Sequence, residues 1–305
     1  MARSSVRCAA TSKSRPRGCH TWSRSPLASE PSNRISSVMN NHTCTALAEL
    51  NRAFYAKFAD DFARTRRTWP PGFERILPHL RPGANVVDLG CGNGRFLRFL
   101  AERGWRGTCV GVDNSAGLLD IAAGEGGRGR TRPNADKTET GSPTRTPADS
   151  SSPVQASFLQ ADLLEPDWPA RLGSLTPDVI VSIAVLHHIP GAANRARFIA
   201  DCARLLPTGG VLIITTWQFM TSPRLRARVL PWETVGLRDT DVEPGDYLLA
   251  WGQEGAGRRY CAFIEPDALY GLAARAGLTL VETFCADGHE GNLNLYGVFR
   301  KGDEA

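Results

Sequence analysis

A glycine-rich loop preceded by an aspartate carries the clearest chemistry in this sequence. The stretch Asp88-Leu89-Gly90-Cys91-Gly92-Asn93-Gly94 stands between a short apolar run and an amphipathic segment. Glycine allows positive φ and close approach of a ligand to the main chain, and the start of a following helix offers free N–H groups to a carboxylate. The pattern predicts a ligand-binding loop, with a dinucleotide-type loop or a tight turn without ligand as the alternatives.

Two further aspartates follow the next two predicted strands. Asp113, 19 residues after Gly94, is placed to accept both hydroxyls of a ribose, and Asp162 is placed to meet an adenine amino group. Each also has a plainer interpretation as a helix cap or turn residue. Because the carboxyl ends of parallel strands meet at one edge of a sheet, the three acids together predict a nucleoside-binding crevice.

The elements that must position these residues alternate between strand and helix. An N-terminal helix is indicated by Leu47, Leu50, Phe54, Phe58 and Phe62, which recur at three- and four-residue spacing. Strands are predicted at 85–89, 108–112, 157–160, 178–183, 211–216, 278–284 and 292–300, and the later helices at 96–100, 115–123, 195–206 and 266–276. This alternation predicts an α/β fold: a doubly wound, seven-stranded, mostly parallel sheet with helices on both faces and a C-terminal antiparallel hairpin turning at Asp287-Gly288.

Composition divides the chain into one domain and its additions. Residues 1–38 are rich in Ser, Arg and Pro, which is typical of a disordered extension, a mis-called start before Met39, or a transit peptide. Residues 39–305 are predicted to form one domain. The Gly/Ser/Thr/Pro-rich segment 124–156 is predicted to be a disordered insertion, and the aromatic-rich segment 217–262 a folded one on the substrate side.

Charge and cysteine content exclude several classes of protein. The formal charge of +5 arises in residues 1–38, which hold seven Lys or Arg and one acid, so bulk electrostatics does not favour binding to a polyanion, no DNA is expected as partner, and only local basic clusters can support nucleic-acid binding. No apolar run reaches the roughly 20 residues of a membrane span. The eight cysteines form no metal-ligand or disulfide pattern, so no metal is expected and a cytoplasmic location is favoured.

The motifs together resemble the class I S-adenosylmethionine-dependent methyltransferases. The similarity covers residues 85–216 and implies a Rossmann-like sheet of order 3-2-1-4-5-7-6. It also implies S-adenosylmethionine as cofactor, bound by Asp88, Gly90, Cys91, Gly92, Asn93, Gly94, Asp113, Asn114, Asp162, Leu163 and Ile183.

A narrower resemblance is to the methyltransferases that esterify the 5-carboxymethyl group of tRNA wobble uridine. It is carried by the Tyr…Phe-Ala…Phe…Thr-Arg…Trp-Pro helix within 51–70, the Ser-Ile-Ala-Val-Leu-His-His sequence at 182–188, taken to continue the 178–183 strand through both histidines, Arg259-Tyr260 and the closing Gly291-Asn292 strand. Cys261 and Ala262 stand where that family usually has an aromatic and a histidine. The resemblance implies tRNA as substrate and a small activating protein as partner.

Four side chains are candidates for the catalytic end of the site. His187 or His188 is placed at the mouth of the acceptor site as a hydrogen-bond donor or base, or is satisfied by backbone. Tyr55 and Arg66 are candidate lid residues over cofactor and substrate, or packing and surface charge. Near Trp217 and Trp232, the cluster Arg224, Arg226 and Arg228 either grips phosphates beside a stacked base or is a solvated helix face.

The chemical group that accepts the methyl group distinguishes the remaining functions. A carboxylate, ionised near pH ~4, needs positioning and desolvation more than a base, whereas a hydroxyl or phenol needs a base such as His187 or His188. The sequence therefore leaves a tRNA-modifying enzyme and a small-molecule O- or C-methyltransferase open. A non-catalytic binding protein is disfavoured by the intact loop and Asp113, and an NAD-dependent dehydrogenase by the C-terminal hairpin.

Overall fold

The computed structural model of the protein describes residues 39–66, 68–125, 156–252 and 255–302. The predictions for 1–38 and for most of 124–156 lie outside the described residues. Within the described ranges, no helix is long and apolar enough to cross a membrane.

A seven-stranded sheet forms the centre of the fold. Its strands are β1 (Val86–Leu89), β2 (Cys109–Asp113), β3 (Ala156–Gln160), β4 (Val179–Ser182), β5 (Val211–Trp217), β9 (Leu278–Ala286) and β10 (Asn294–Lys301). Their order is β3-β2-β1-β4-β5-β10-β9. The first five pair in parallel, and β10 pairs antiparallel with both β5 and β9. The predicted α/β fold, its strand order and its C-terminal hairpin are confirmed.

Helices cover both faces of this sheet. They are α1 (Asn41–Arg64), α2 (Pro71–Ile76), α3 (Arg95–Glu102), α4 (Ala116–Glu125), α5 (Ala192–Leu205), α6 (Pro223–Arg226) and α7 (Pro266–Arg275). Along β1, Val87 and Leu89 belong to one hydrophobic cluster and Val86 to another, as the two-residue period of a strand requires. Strands buried on both faces are expected to be continuously apolar, and β1 and β4 are largely so.

The segment after β5 forms a second, antiparallel sheet of three strands. These are β6 (Val229–Leu230), β7 (Asp246–Trp251) and β8 (Gly257–Ala262), with β7 in the middle. Buried Asn51 of α1 fastens the long N-terminal helix to β8, because its amide accepts from Tyr260 N–H and donates to the Tyr260 carbonyl. The small sheet and α1 are therefore held together beside the large sheet.

Two local expectations differ from the structure. The histidine pair does not extend a strand: β4 ends at Ser182, Ala184 has φ of 59°, and Leu186–His188 form a 3-10 turn. Trp232 is only 5% exposed and lies in the main core, so it does not stand beside the arginine cluster as a stacking platform. In both places the conformation or burial of the residues depends on tertiary packing, which the local sequence pattern does not predict.

Candidate active site

The glycine loop joins β1 to α3 and depends on left-handed backbone at three glycines. The φ angles are 72° at Gly90, 55° at Gly92 and 71° at Gly94. A Cβ added to Gly90 would stand 2.2 Å from Cγ2 of Val185, so only glycine lets the loop lie against the turn after β4.

Asp88, at the start of this loop, is a buried acid without a full set of partners. Its side chain is 2% exposed, and its Oδ1 has no hydrogen-bond partner among the described residues. Burial, and then the charge of Asp113, raise the pKa of Asp88 to about 8. A buried carboxylate oxygen without a donor is costly, and the ammonium group of a bound amino acid moiety would satisfy it.

Asp113, the last residue of β2, organises the glycine loop. Its Oδ2 accepts from the N–H of Gly92 at 2.9 Å, and its Oδ1 accepts from the N–H of Ser115 at 2.9 Å. Burial raises the pKa of Asp113, and these backbone donors oppose the rise. Each carboxylate oxygen has a second lone pair, so Asp113 can cap the turn and still accept from a ligand hydroxyl.

Asp162, just beyond β3, likewise accepts a hydrogen bond on each of its two carboxylate oxygens. Its Oδ2 accepts from Nε of Arg52 on α1 at 2.8 Å, and its Oδ1 accepts from the N–H of Leu164 at 2.9 Å. The predicted contact with an adenine amino group would share a carboxylate that already ties α1 to the large sheet.

These residues surround one cavity of about 560 Å³ at the carboxyl ends of the parallel strands. Every residue predicted for the site lines it except Gly94, which lies at the start of α3, where a Cβ would press on Ala122 and Phe158. The described residues contain no group of His, Cys, Asp or Glu that could hold a metal ion.

The two histidines line another part of the cavity wall, and their hydrogen bonds fix their tautomers. Nδ1 of His188 lies 3.0 Å from the carbonyl oxygen of Tyr260, which can only accept, so Nδ1 carries the proton. Nε2 of His188 then accepts from the Tyr55 hydroxyl at 2.9 Å. Nδ1 of His187 accepts from the N–H of Trp217 at 3.2 Å, which leaves the proton of the neutral ring on Nε2.

The environment keeps both rings neutral. Burial, followed by the charge of Arg259, lowers the pKa of His188 to about 3. Burial, His188 and Arg259 together lower the pKa of His187 well below its ordinary value. Since the basic nitrogen of each ring is already accepting a hydrogen bond, the pair offers a donor to a ligand and no free base.

Arg259 is a candidate binding residue that the sequence analysis did not place in the site. Its side chain is 7% exposed at the cavity wall, and its Nε has no hydrogen-bond partner among the described residues. The guanidinium lies 4.7 Å from the ring centroid of Trp217 and 5.4 Å from that of Phe54. No ion pair joins it to a carboxylate in the part of the chain that the structure describes, although a buried cation strongly favours one.

In the sequence, Arg259 is marked only by the Arg259-Tyr260 pair. This pair contributes to the family resemblance, but its spacing from other residues does not predict that Arg259 lines the cavity. Its position depends on β8 pairing with β7 and on Asn51 holding α1 against β8.

Arg66, by contrast, lies just beyond α1 and is held by the last turn of that helix and its C-cap. Its guanidinium lies 3.3 Å from the ring centroid of Phe62 and donates to the Phe62 carbonyl at 3.4 Å and to the Thr65 hydroxyl at 3.1 Å. Burial lowers the pKa of Arg66 to about 10, so it stays charged at neutral pH. Together with Tyr55 it forms part of the cavity wall contributed by α1 and the residues that follow it.

Comparison with protein families gives a match to the methyltransferase domain over residues 62–283. Among known proteins, the chain is 31% identical over 163 residues to tRNA (carboxymethyluridine(34)-5-O)-methyltransferase ALKBH8 of Mus musculus. That alignment covers 53% of this chain but 19% of the relative. The corresponding enzyme of Arabidopsis thaliana is 26% identical over 60% of this chain and 37% of its own length.

Solved structures share the fold. A SAM-dependent methyltransferase from Methanosarcina mazei superposes with a TM-score of 0.54 at 19% identity, covering 75% of this chain and 98% of the other. Magnesium protoporphyrin IX methyltransferase of Synechocystis with bound SAH superposes with a TM-score of 0.52 at 15% identity, covering 84% and 99%.

Proposed function

The chain belongs to the S-adenosylmethionine-dependent methyltransferase domains, and we propose that it methylates a carboxylate, in particular the 5-carboxymethyl group of a tRNA wobble uridine. The observation that carries this proposal is Arg259, a buried cation at the cavity wall without a carboxylate partner among the described residues. An acceptor carboxylate supplies the missing charge.

The part of the cavity lined by the glycine loop, Asp88 and Asp113, called the loop end below, suits the cofactor. We assign the cofactor's ammonium to Asp88, whose buried Oδ1 lacks a donor, and its ribose hydroxyls to Asp113. The space at Gly92, where an added Cβ would meet nothing closer than Phe62 at 3.8 Å, leaves the main chain of the loop open to a ligand. When bound, S-adenosylmethionine supplies a methyl group on a positively charged sulfur.

The opposite end suits an ionised oxygen acid. Arg259 pairs with the acceptor carboxylate, and Nε2–H of His187 donates to it. The carboxylate oxygen would take the methyl group with its own electron pair, and the bound cofactor would be left as a neutral thioether. No proton is released, so the reaction needs no base, in agreement with the two neutral histidines.

The walls around this point favour the loss of charge. Tyr55 and Trp217 border the cavity beside the histidines, and burial raises the pKa of the Tyr55 hydroxyl so that it stays protonated. An anion and a cation become two neutral groups on transfer, and an aromatic, water-poor pocket favours that change more than water does. A cytoplasmic location and a small activating partner protein are further expectations from the resemblance to the tRNA enzymes.

The deciding experiment uses radiolabelled cofactor and tRNA that carries 5-carboxymethyluridine. We expect label in the tRNA that mild alkali releases as methanol, since an ester hydrolyses there. Matched tRNA with plain uridine, or with the carboxymethyl group already esterified, should take up none. Alkali-stable label, or turnover on a free phenol or hydroxy acid alone, would instead identify a small-molecule O- or C-methyltransferase.

A further inference from the structure

A second, smaller cavity lies next to the acceptor end of the site. It has a volume of about 160 Å³, and Trp217 and Arg259 line both it and the main cavity. Its remaining wall is built by the 217–262 segment and includes Trp251, Arg228, Leu225 and Leu249. This space equals the liquid volume of roughly five water molecules, which suits a single heteroaromatic ring.

Two indole rings in this wall are held by other aromatic side chains. Trp251 packs against Phe58 at 4.9 Å and against Phe54 at 5.3 Å, measured between ring centroids. Trp217 packs against Phe219 at 5.3 Å, and the Arg259 guanidinium lies 4.7 Å from its centroid. Rigid aromatic surfaces of this kind stack planar ligands without selecting their hydrogen-bonding edge.

The rim of the small cavity is positively charged. Arg228 is part of the wall, and Arg224 and Arg226 are exposed on the neighbouring α6. Three acids of the same segment are paired with other arginines: Asp241 pairs with Arg238, and Glu243 and Asp246 face Arg195. No ion pair joins Arg224, Arg226 or Arg228 to a carboxylate among the described residues, so guanidinium groups lie beside a stacking surface, a combination that fits a base and its phosphates.

We propose that the small cavity binds a second, unpaired nucleobase of the acceptor RNA, adjacent to the nucleotide that is methylated. Arg259 and Trp217 separate the two bases, and Arg228, with Arg224 and Arg226, holds the connecting phosphates. This inference rests on the proposed function, because it requires a polynucleotide acceptor. The sequence suggested Trp217 and Trp232 as stacking residues beside Arg224, Arg226 and Arg228. In the structure Trp232 is buried in the core, and Trp251 takes the place of Trp232 in this proposal.

The test compares two acceptors that differ only in flanking nucleotides: 5-carboxymethyluridine nucleoside, and a trinucleotide with that residue in its centre. We expect wild-type protein to have a lower KM for the trinucleotide. Trp251→Ala should raise the trinucleotide KM about tenfold, with Trp251→Phe intermediate, since base stacking has roughly this strength. Neither variant should change the KM for the nucleoside or the Kd for S-adenosylmethionine, which also verifies folding.

The charge part of the proposal has a matched control on β8. Arg228→Gln should raise the trinucleotide KM and weaken its dependence on salt, because phosphate contacts act through counterion release. Arg258→Gln removes the same charge from an exposed arginine that donates to the Thr234 carbonyl at 2.8 Å and does not line the small cavity, so it should leave that KM unchanged.

Three results would overturn the inference. The first is equal KM values of the wild type for nucleoside and trinucleotide, and the second is an equal effect of Trp251→Ala on both acceptors; in both cases the carboxylate methyltransferase itself would stand. The third is no alkali-labile transfer to either acceptor or to modified tRNA, which would overturn the proposed function and this inference with it.

Discussion

The two ends of the main cavity are built from opposite chemistry. At the loop end, Asp88, Asp113 and Asp162 stand just at or beyond the ends of three adjacent parallel strands. At the acceptor end stand a buried guanidinium, two neutral imidazoles and aromatic rings, brought together by α1, β5, β8 and a 3-10 turn. The first end suits a positive ligand group, the ammonium assigned to Asp88, which keeps its charge during the reaction, and the second end suits the carboxylate whose negative charge methyl transfer removes.

The largest effect is expected at Arg259. Arg259→Gln removes the cation paired with the acceptor carboxylate, and losing one partner of a buried charge pair costs about 2–5 kcal/mol. We expect kcat/KM for the carboxylate acceptor to fall on the order of 10²- to 10³-fold, while the Kd for S-adenosylmethionine, measured by calorimetry, stays close to that of the wild type.

Arg259→Lys provides the conservative variant. It keeps the charge but loses the planar fork and the contact with Trp217, so it should restore only part of the activity. If Arg259→Gln weakened cofactor binding as much as it lowered kcat/KM, the division of the cavity into two ends would be wrong.

A smaller effect, confined to the cofactor, is expected at Asp88. Asp88→Asn should weaken S-adenosylmethionine binding roughly 10- to 100-fold, because a charged acceptor for the ammonium is lost. The wild type carries a proton on Asp88 below a pKa of about 8, and pairing with the ammonium requires its release. Calorimetry at pH 7 in buffers of different ionisation enthalpy should therefore detect close to one proton released per cofactor bound, and none with the variant.

The same carboxyl predicts the sign of a stability change. In the folded protein the pKa of Asp88 is about 8, above its ordinary value of 3.8. The protonated carboxyl therefore contributes fully to the free energy of unfolding of the cofactor-free protein below pH ~4, and this stabilisation is lost as the pH rises through 8. Asn does not ionise, and Asp88→Asn should raise the Tm of the cofactor-free protein at pH 8.5 more than at pH 6. An equal change at both pH values would contradict the assignment.

The two ends also differ in how far the sequence predicts them. Asp88 and Asp113 lie in the last two residues of β1 and β2, and Gly90 and Gly92 come just after β1, so local pattern and the topology of a parallel sheet suffice to bring them together. Arg259 lies 72 residues beyond His187 in the chain, and its burial depends on the pairing of β7 with β8 and on the contact of β8 with α1. Such contacts between distant segments leave no periodicity in the sequence.

The histidines illustrate the same limit at the level of protonation. The sequence placed His187 and His188 at the acceptor end but left donor, base and backbone-satisfied roles open. Which nitrogen carries the proton follows from the Tyr260 carbonyl, the Trp217 N–H and the Tyr55 hydroxyl, and none of these partners can be inferred from spacing.

The smallest expected effect is on the pH dependence of the rate. The pKa of His188 is about 3 and that of His187 is well below its ordinary 6.5, so neither ring changes charge between pH 6 and 8. The acceptor carboxylate is ionised throughout that range as well. With cofactor saturating, kcat should be flat from pH 6 to 8, and replacing both histidines by Asn should lower it roughly tenfold through lost positioning without adding a pH dependence. If kcat of the wild type instead changed with pH near pH 7, and this dependence disappeared in the double variant, a histidine would be the catalytic base. The acceptor would then be a hydroxyl or phenol in place of the carboxylate.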